Sequence, residues 1–394
     1  MMDIALATRM QAVKPSPTAA VAAKAEQMRA QGRDIINLGM GEPDFDTPSH
    51  IKNAAIAAIE AGFTKYTAID GISELKEAVR DKFKRDNGLD YSLQQILVST
   101  GGKQCIYNLC QAFLSAGDEV LIPAPYWVSY PDIVLLADAK PVIIPSTAAS
   151  HYKISPEQLE RAITAKTKML FLNSPSNPSG VAYTYAELKA FADVLERHPR
   201  VLIATDDMYE HIIWSQPFVN ILDTCPALYE RTIVLNGVSK AYSMTGWRIG
   251  YTGGPARLIA AMKTIQSQST SNPCSIAQKA ALAALNGGDE SIHHMVKAFR
   301  ERHDYVLQRL NAMPEVDVIP ADGTFYIFPS VQRVIDRKGL ANDLAFADSL
   351  LQETGLAVVP GSAFGCEGAV RLSFATSIDV LRDALDRLEQ FTQA

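Results

Sequence analysis

Between residues 96 and 252 short β-branched runs alternate with longer stretches of helical periodicity, and few folds accept that rhythm. The strand candidates are Ile96–Ser99, Glu119–Ile122, Pro141–Ile144, Lys168–Leu172, Val201–Thr205, Thr232–Leu235 and Arg248–Thr252. Strands separated by helices predict an α/β fold, with a mostly parallel central sheet and helices on both faces. Among the helices, His50–Gly62 has a start signal, with Thr47 as its expected cap and Pro48 as its first residue. Leu75, Val79 and Phe83 form the apolar stripe of another, and Tyr183–Arg197 and Ile378–Phe391 read as amphipathic helices. After Gly287–Gly288 the pattern changes to a charged helix, His293–Leu310, and short strands at Val316–Ile319, Phe325–Phe328 and Val370–Phe374. This predicts a large domain over residues 49–287 and a smaller, discontinuous α+β domain built from 1–48 and 288–394.

Composition narrows the function. The 394 residues are 47% hydrophobic and include 14 Phe and 14 Tyr, enough for a large core and unlike a disordered chain. There are 37 basic and 43 acidic residues, a net charge of −6, and no basic block stands out, which argues against nucleic-acid binding. Five scattered cysteines without metal spacing read as reduced thiols in a cytoplasmic protein. No segment approaches the ~18 apolar residues of a membrane span, and the seven histidines make no metal pattern. The dinucleotide fingerprint and Walker A are absent, and Ser362 in Gly361-Ser362-Ala363-Phe364-Gly365 sits one place off for a nucleophile elbow.

In an open parallel sheet, ligands bind beyond the carboxyl ends of the strands. Gly101-Gly102-Lys103 follows the first strand and opens a helix, either as a plain glycine turn or as an anion cradle. Asn173 to Gly180 form a proline-rigid loop that is a well-made turn or a mount for Asn177. Asp206, Asp207 and Tyr209 follow a buried strand, where a carboxylate needs a cationic partner or serves as a helix cap. Gly237-Val238-Ser239-Lys240 follows the next strand, with Arg248 eight residues on. In Val370-Arg371-Leu372-Ser373-Phe374 the apolar residues share one face and Arg371 the other, so Arg371 is an exposed arginine or a carboxylate fork. One ligand accounts for all of these signals together, a phosphorylated pyridine aldehyde. It needs a lysine, a carboxylate for its ring nitrogen, and glycine amides with an arginine for its phosphate.

Motifs then extend along nearly the whole chain: LGMGEPDFDTP (38–48), KYT (65–67), GGKQ (101–104), PAPYWVSYP (123–131), NSPSNPSG (173–180), TDDMYEH (205–211), GVSKAYSMTGWRIGY (237–251) and VRLSFATS (370–377). With these the chain resembles the bacterial class I aminotransferases, pyridoxal 5'-phosphate (PLP) enzymes of fold type I. It is most similar to the bacterial aspartate branch that includes the aspartate/prephenate group. The resemblance implies Lys240 as the Schiff-base lysine and proton shuttle, with Asp206 on the pyridinium nitrogen. It implies Tyr209 and Asn177 at the ring hydroxyl and Trp127 stacked on the ring. Gly101, Gly102, Lys103, Ser239 and Arg248 would surround the phosphate, joined by Tyr66 from the neighbouring subunit of a homodimer. Gly39 and Arg371, with Trp127 and Asn177, would bind the substrate.

Two departures from the enteric and animal branch stand out. A phosphate-binding serine is replaced by Gly237, and the stretch Gln266–Thr270 lacks that branch's arginine for the distal carboxylate. The resemblance assigns that task to Lys14, Ser16, Thr18 and Lys103, and links Lys14 to prephenate. The implied reaction moves the amino group of aspartate, with glutamate or arogenate as other donors, to 2-oxoglutarate, oxaloacetate or prephenate. The alternatives are another amino-acid specificity, including aromatic, and a PLP-dependent lyase. A ligand-sensing transcription regulator would need a DNA-binding module, and no helix-turn-helix pattern precedes Leu38.

Overall fold

The structure, a computed structural model, describes residues 4–394, so residues 1–3 of the expected 1–48 segment lie outside the described residues. Seven strands form the central sheet: β1 (Ile96–Ser99), β2 (Glu119–Pro123), β3 (Lys140–Ile144), β4 (Thr167–Asn173), β5 (Leu202–Asp206), β6 (Thr232–Gly237) and β7 (Gly250–Gly253). Their order is β1-β7-β6-β5-β4-β2-β3. All neighbours are parallel except β7, which runs antiparallel to both β1 and β6. That reversal matters for the site. Ser99 and Gly237, at the ends of β1 and β6, both pair with Gly250 at the start of β7. The residues entering β7 therefore reach the same sheet edge as those leaving β1, β4, β5 and β6.

Alternation along the strands explains why the sheet is covered on both sides. Leu170, Leu172, Ile203 and Val234 join one core cluster, together with Leu75, Val79 and Phe83 of the Ser73–Asn87 helix. Met169, Phe171, Leu202, Ala204, Ile233 and Leu235 join another, against the Gly102–Phe113 and Ala256–Ser267 helices. The Tyr185–Glu196 helix opens with a capping box, in which Thr184 Oγ1 accepts from the Glu187 amide and Glu187 accepts from the Thr184 amide. A third cluster gathers the helices Glu290–Asn311, Asp343–Thr354 and Ile378–Gln393 around a small antiparallel sheet. In that sheet Val370–Ser373 lies between Val359–Pro360 and Tyr326–Ile327. No helix among the described residues is long and apolar enough to cross a membrane.

Four local expectations need correction. Thr47 does not cap the first long helix: its hydroxyl donates to the Ser243 carbonyl at 2.6 Å, and Pro48 precedes the first helical residue, Ser49. Arg248 does not begin a strand. It has φ +56° after a 3₁₀ turn at Thr245–Trp247, and the ladder starts at Gly250. Val316–Ile319 pairs only through a single bridge from Asp317 to Ser330, with Pro320 next in line and unable to donate. The Val370–Ser373 strand has no solvent face, because the small sheet is covered on both sides and all four residues are buried.

The close approach of β7 to the turn after β1 depends on glycine. A Cβ on Gly250 would lie 2.4 Å from the Gly102 nitrogen and 2.5 Å from the Gly101 carbonyl carbon. Gly250→Ala should therefore cost about 2–3 kcal/mol of stability in urea unfolding. A loss within ~0.5 kcal/mol would mean that the two backbones part freely.

Candidate active site

A cleft of about 330 Å³ opens at the shared edge. β4 brings Asn173, and the loop behind it brings Asn177. β5 ends in Asp206, and the turn beyond carries Met208 and Tyr209; the turn after β6 brings Ser239 and Lys240. The helix after β1 contributes Gly102 and Lys103, and the entry to β7 contributes Arg248. Trp127 follows β2. Thr18, Met40, Gly41 and Glu42 close the cleft from the amino-terminal side, and Tyr326 and Arg371 from the small sheet.

Charge dominates this cleft. Four cations, Lys103, Lys240, Arg248 and Arg371, line it against two carboxylates, Asp206 and Glu42. Among the described residues, none of the four has a carboxylate oxygen within 4.0 Å. Arg371 is 2% exposed. Its Nη1 donates to Asn177 Oδ1 at 2.9 Å and its Nη2 to the Gly39 carbonyl at 2.7 Å, while its Nε has no partner. A buried guanidinium with unused donors and no counter-ion is expensive alone and well suited to an incoming carboxylate.

Burial, with Arg371 and Arg248 nearby, pushes the Lys240 amine down to about 8, against the opposing pull of Glu42 and Asp206. The amine donates to the Gly41 carbonyl. Burial pushes the Asp206 carboxyl up, and the hydrogen bonds it accepts offset part of that rise. These come from the Tyr130 hydroxyl at 2.6 Å and the Met208 amide at 3.3 Å. Tyr209 is held neutral by burial and by Tyr326, whose hydroxyl lies 3.1 Å from its own. The Lys103 amine sits 5.1 Å from the Trp127 ring centroid, and burial and Arg248 lower its pKa.

Backbone shape completes an anion cradle. Gly101 has φ +86°, and a Cβ there would fall 2.3 Å from Arg248 Nη2, so glycine lets the guanidinium lie against the turn. The Gly102–Phe113 helix has no side-chain cap, which leaves its first amides free for an anion. At Gly237 a Cβ would sit 2.9 Å from the Ile249 carbonyl oxygen, so this backbone has no room for the serine of the other branch.

The structure thus brings together Thr18, Gly102, Lys103, Trp127, Asn177, Asp206, Tyr209, Ser239, Lys240, Arg248 and Arg371, with Gly39 and Gly101 directly behind them. Lys14, Ser16 and Tyr66 do not line the cleft. The Lys14 backbone amide donates to Asp132 at 3.0 Å, and Ser16 caps the Pro17–Ala30 helix and bonds Thr18. Tyr66 is 90% exposed. Asp207 turns away from the cleft to accept from Thr205 and Asn220. Sequence reasoning missed Tyr130, Tyr326 and Glu42 as site residues. Tyr130 lay in a quoted motif, whereas Tyr326, flanked by Phe325 and Ile327, carries only the signal of a core strand.

The lowered Lys240 pKa has a testable sign. Its neutral, reactive form should grow in as pH rises through about 8, well below the ~10.4 of a free lysine. Peptide mapping after pulse labelling with an amine reagent should give that midpoint for Lys240. Arg371→Leu, which removes an adjacent positive charge, should move it upward. A midpoint near ~10 in the unsubstituted protein would contradict the electrostatic account.

The cleft and sheet have counterparts in known proteins. The family model for aminotransferase class I and II matches residues 33–388. The aspartate/prephenate aminotransferase of Nitrosomonas europaea is 57% identical over 390 residues, 97% of this chain and 98% of its own length. That of Cereibacter sphaeroides is 54% identical over 385 residues, 96% of each chain. Among solved structures, the aspartate aminotransferase of Rhizobium meliloti superposes with a TM-score of 0.95 at 46% identity, covering 99% of both chains. The Thermus thermophilus aspartate aminotransferase with maleate gives 0.93 at 41%, covering 99% of this chain and all of the other. By sequence and by fold alike, the chain belongs to the class I and II aminotransferases.

Proposed function

We propose that the cleft holds pyridoxal 5'-phosphate and moves the amino group of aspartate to a 2-oxo acid such as 2-oxoglutarate, oxaloacetate or prephenate. The observation that carries this reading is the set of four cations without carboxylate partners around one buried aspartate. The names of the relatives support the choice of substrates. The residues fit the cofactor. Gly101, Gly102, Lys103, Ser239 and Arg248 offer amides and positive charge to a phosphate, and Trp127 offers a ring face. Asp206 offers an anion to a ring nitrogen, and Tyr209 and Asn177 offer donors to a ring hydroxyl. When bound, the cofactor supplies an aldehyde carbon that bonds amines and a protonated ring that withdraws electrons.

Lys240 would hold the cofactor through its Nζ, the amine that lines the cleft. As a free amine, the same Nζ would take the proton from the substrate Cα, which requires the neutral form that burial and Arg371 favour. Arg371 grips the substrate α-carboxylate, and its bonds to Asn177 and Gly39 fix the guanidinium so that the Cα–H bond is oriented for removal. Asp206 would favour a proton on the ring nitrogen, and the Tyr130 hydroxyl and Met208 amide help the carboxylate stay ionised despite burial. We assign the distal end of the substrate to Thr18 and Lys103, with Lys14 and Ser16 on the adjoining segment. Tyr66, exposed and outside its own cleft, is assigned to the phosphate of the other subunit in a homodimer. Residues 49–287 are proposed as the cofactor-binding domain and 1–48 with 288–394 as the smaller one. Five free cysteines fit a reducing, cytoplasmic setting.

The deciding experiment is the visible spectrum of the purified protein with PLP, before and after L-aspartate and then 2-oxoglutarate. The band should bleach with aspartate and return with 2-oxoglutarate. No band would overturn the cofactor, and a band that answers only another amino acid would overturn the substrate. Lys240→Ala should lower kcat by about 10⁴-fold and leave no borohydride-fixed cofactor on the chain; near-normal turnover would remove Lys240 from the proton transfer.

A further inference from the structure

The geometry points to Tyr326 as a positioning residue that acts on this site through two separate contacts, its ring on Arg371 and its hydroxyl on Tyr209. The inference rests on the function proposed above and adds to it a residue that neither the motifs nor the spacing singled out.

Tyr326 is 1% exposed yet lines the cleft. Its place is fixed from several sides. It pairs with Ser373 in the small sheet, and its amide donates to Thr324 Oγ1 at 3.1 Å. A Cβ on Gly41 would lie 2.8 Å from its hydroxyl oxygen, so the glycine leaves room for the phenol. The ring lies under the guanidinium, with the Arg371 central carbon 4.3 Å from its centroid, and the Phe364 ring is 5.0 Å from the same carbon. Two aromatic rings therefore stand where a buried arginine would ordinarily need a carboxylate. A π face attracts the cation without neutralising it. A carboxylate partner would tie up the fork, whereas the ring holds the guanidinium plane and leaves its donors free for a substrate.

The hydroxyl does a different job. The one hydrogen bond it makes is with Tyr209 at 3.1 Å. The charged and titratable groups around this pair are Arg371 from the small sheet, Asp206 from β5, Tyr130 from the helix after β2, Glu42 from the amino-terminal loop and Lys240 from the turn after β6. Two buried neutral phenols share one hydrogen bond, and either oxygen can be its donor. With Tyr326 donating its hydroxyl hydrogen to the Tyr209 oxygen, the Tyr209 hydrogen is free for the cleft, and the chain of two bonds strengthens that donor once a ring oxygen accepts from it. A stronger donor lowers the proton affinity beside the cofactor ring oxygen.

Two substitutions in the PLP-loaded enzyme separate these roles. Tyr326→Phe keeps the ring and loses the hydroxyl. Its pH midpoint for the visible absorption change should rise by about 0.5–1 unit, while KM for aspartate and Kd for succinate stay within about twofold. Tyr326→Leu loses the ring as well, and KM and the succinate Kd should both rise about tenfold, the size of a desolvated cation–aromatic contact. A purely structural role would instead lower Tm and affect both variants alike. An unchanged midpoint in Tyr326→Phe, or the same rise in KM in both variants, overturns the inference. Should Tyr326→Leu not fold, the midpoint in Tyr326→Phe decides alone. A parent enzyme that ignores aspartate would instead sink the proposed function.

Discussion

Like charges repel, and four cations in one partly dry cleft repel strongly, so the scaffold must hold them there against that force. It does so by drawing them from elements that have little freedom to separate. Lys103 and Arg248 stand on turns whose backbones are pressed together at Gly101, Gly102 and Gly250. Lys240 follows β6, a strand buried on both faces. Arg371 arrives from a different sheet, clamped by Asn177, the Gly39 carbonyl and two aromatic rings. The large apolar clusters on either side of the central sheet supply the free energy that tolerates this concentration of charge.

The cations also act on one another. The Lys240 amine is made less basic by its neighbours, chiefly Arg371 after burial itself. The group proposed to grip the substrate is thus one of the groups that prepares the base. Asp206 is pushed by burial toward its neutral form and drawn back by Tyr130 and Met208. These settings come from position, and each would change if one side chain retreated by a few ångströms.

The central sheet was legible in the sequence because its strands are short, apolar and separated by regular helices. All seven expected strands fall within two residues of the observed ones at each end. Arg248 escaped because a left-handed turn residue between Trp247 and Ile249, both strand-favouring, has no distinctive local signal. Val316–Ile319 has strand composition but no partner except at one bridge, and pairing is a tertiary property. Thr47 looked like a cap until the fold offered its hydroxyl a carbonyl almost two hundred positions away. Asp206 and Arg371 stood out because charged residues at the end or in the middle of apolar strands need a reason, whereas Lys240 stood out only through the ligand and the motif resemblance. Tyr326 did not, since a tyrosine between Phe325 and Ile327 is ordinary in a core. The gathering of charge at the strand ends was legible, but the missing carboxylate partners were not, because which side chains pair is decided only when segments as distant as Lys103 and Arg371 meet.

The unused donors on Arg371 have a consequence beyond recognition. A buried charge that waits for its counter-ion leaves the empty fold less stable than the filled one, and the difference is made good only by what binds. Ligand occupancy then governs survival as well as turnover, because the empty form opens more often and meets proteases more often. A cell holding this protein would keep more of it when anionic ligand is plentiful and lose it faster when starved, with no change in its synthesis.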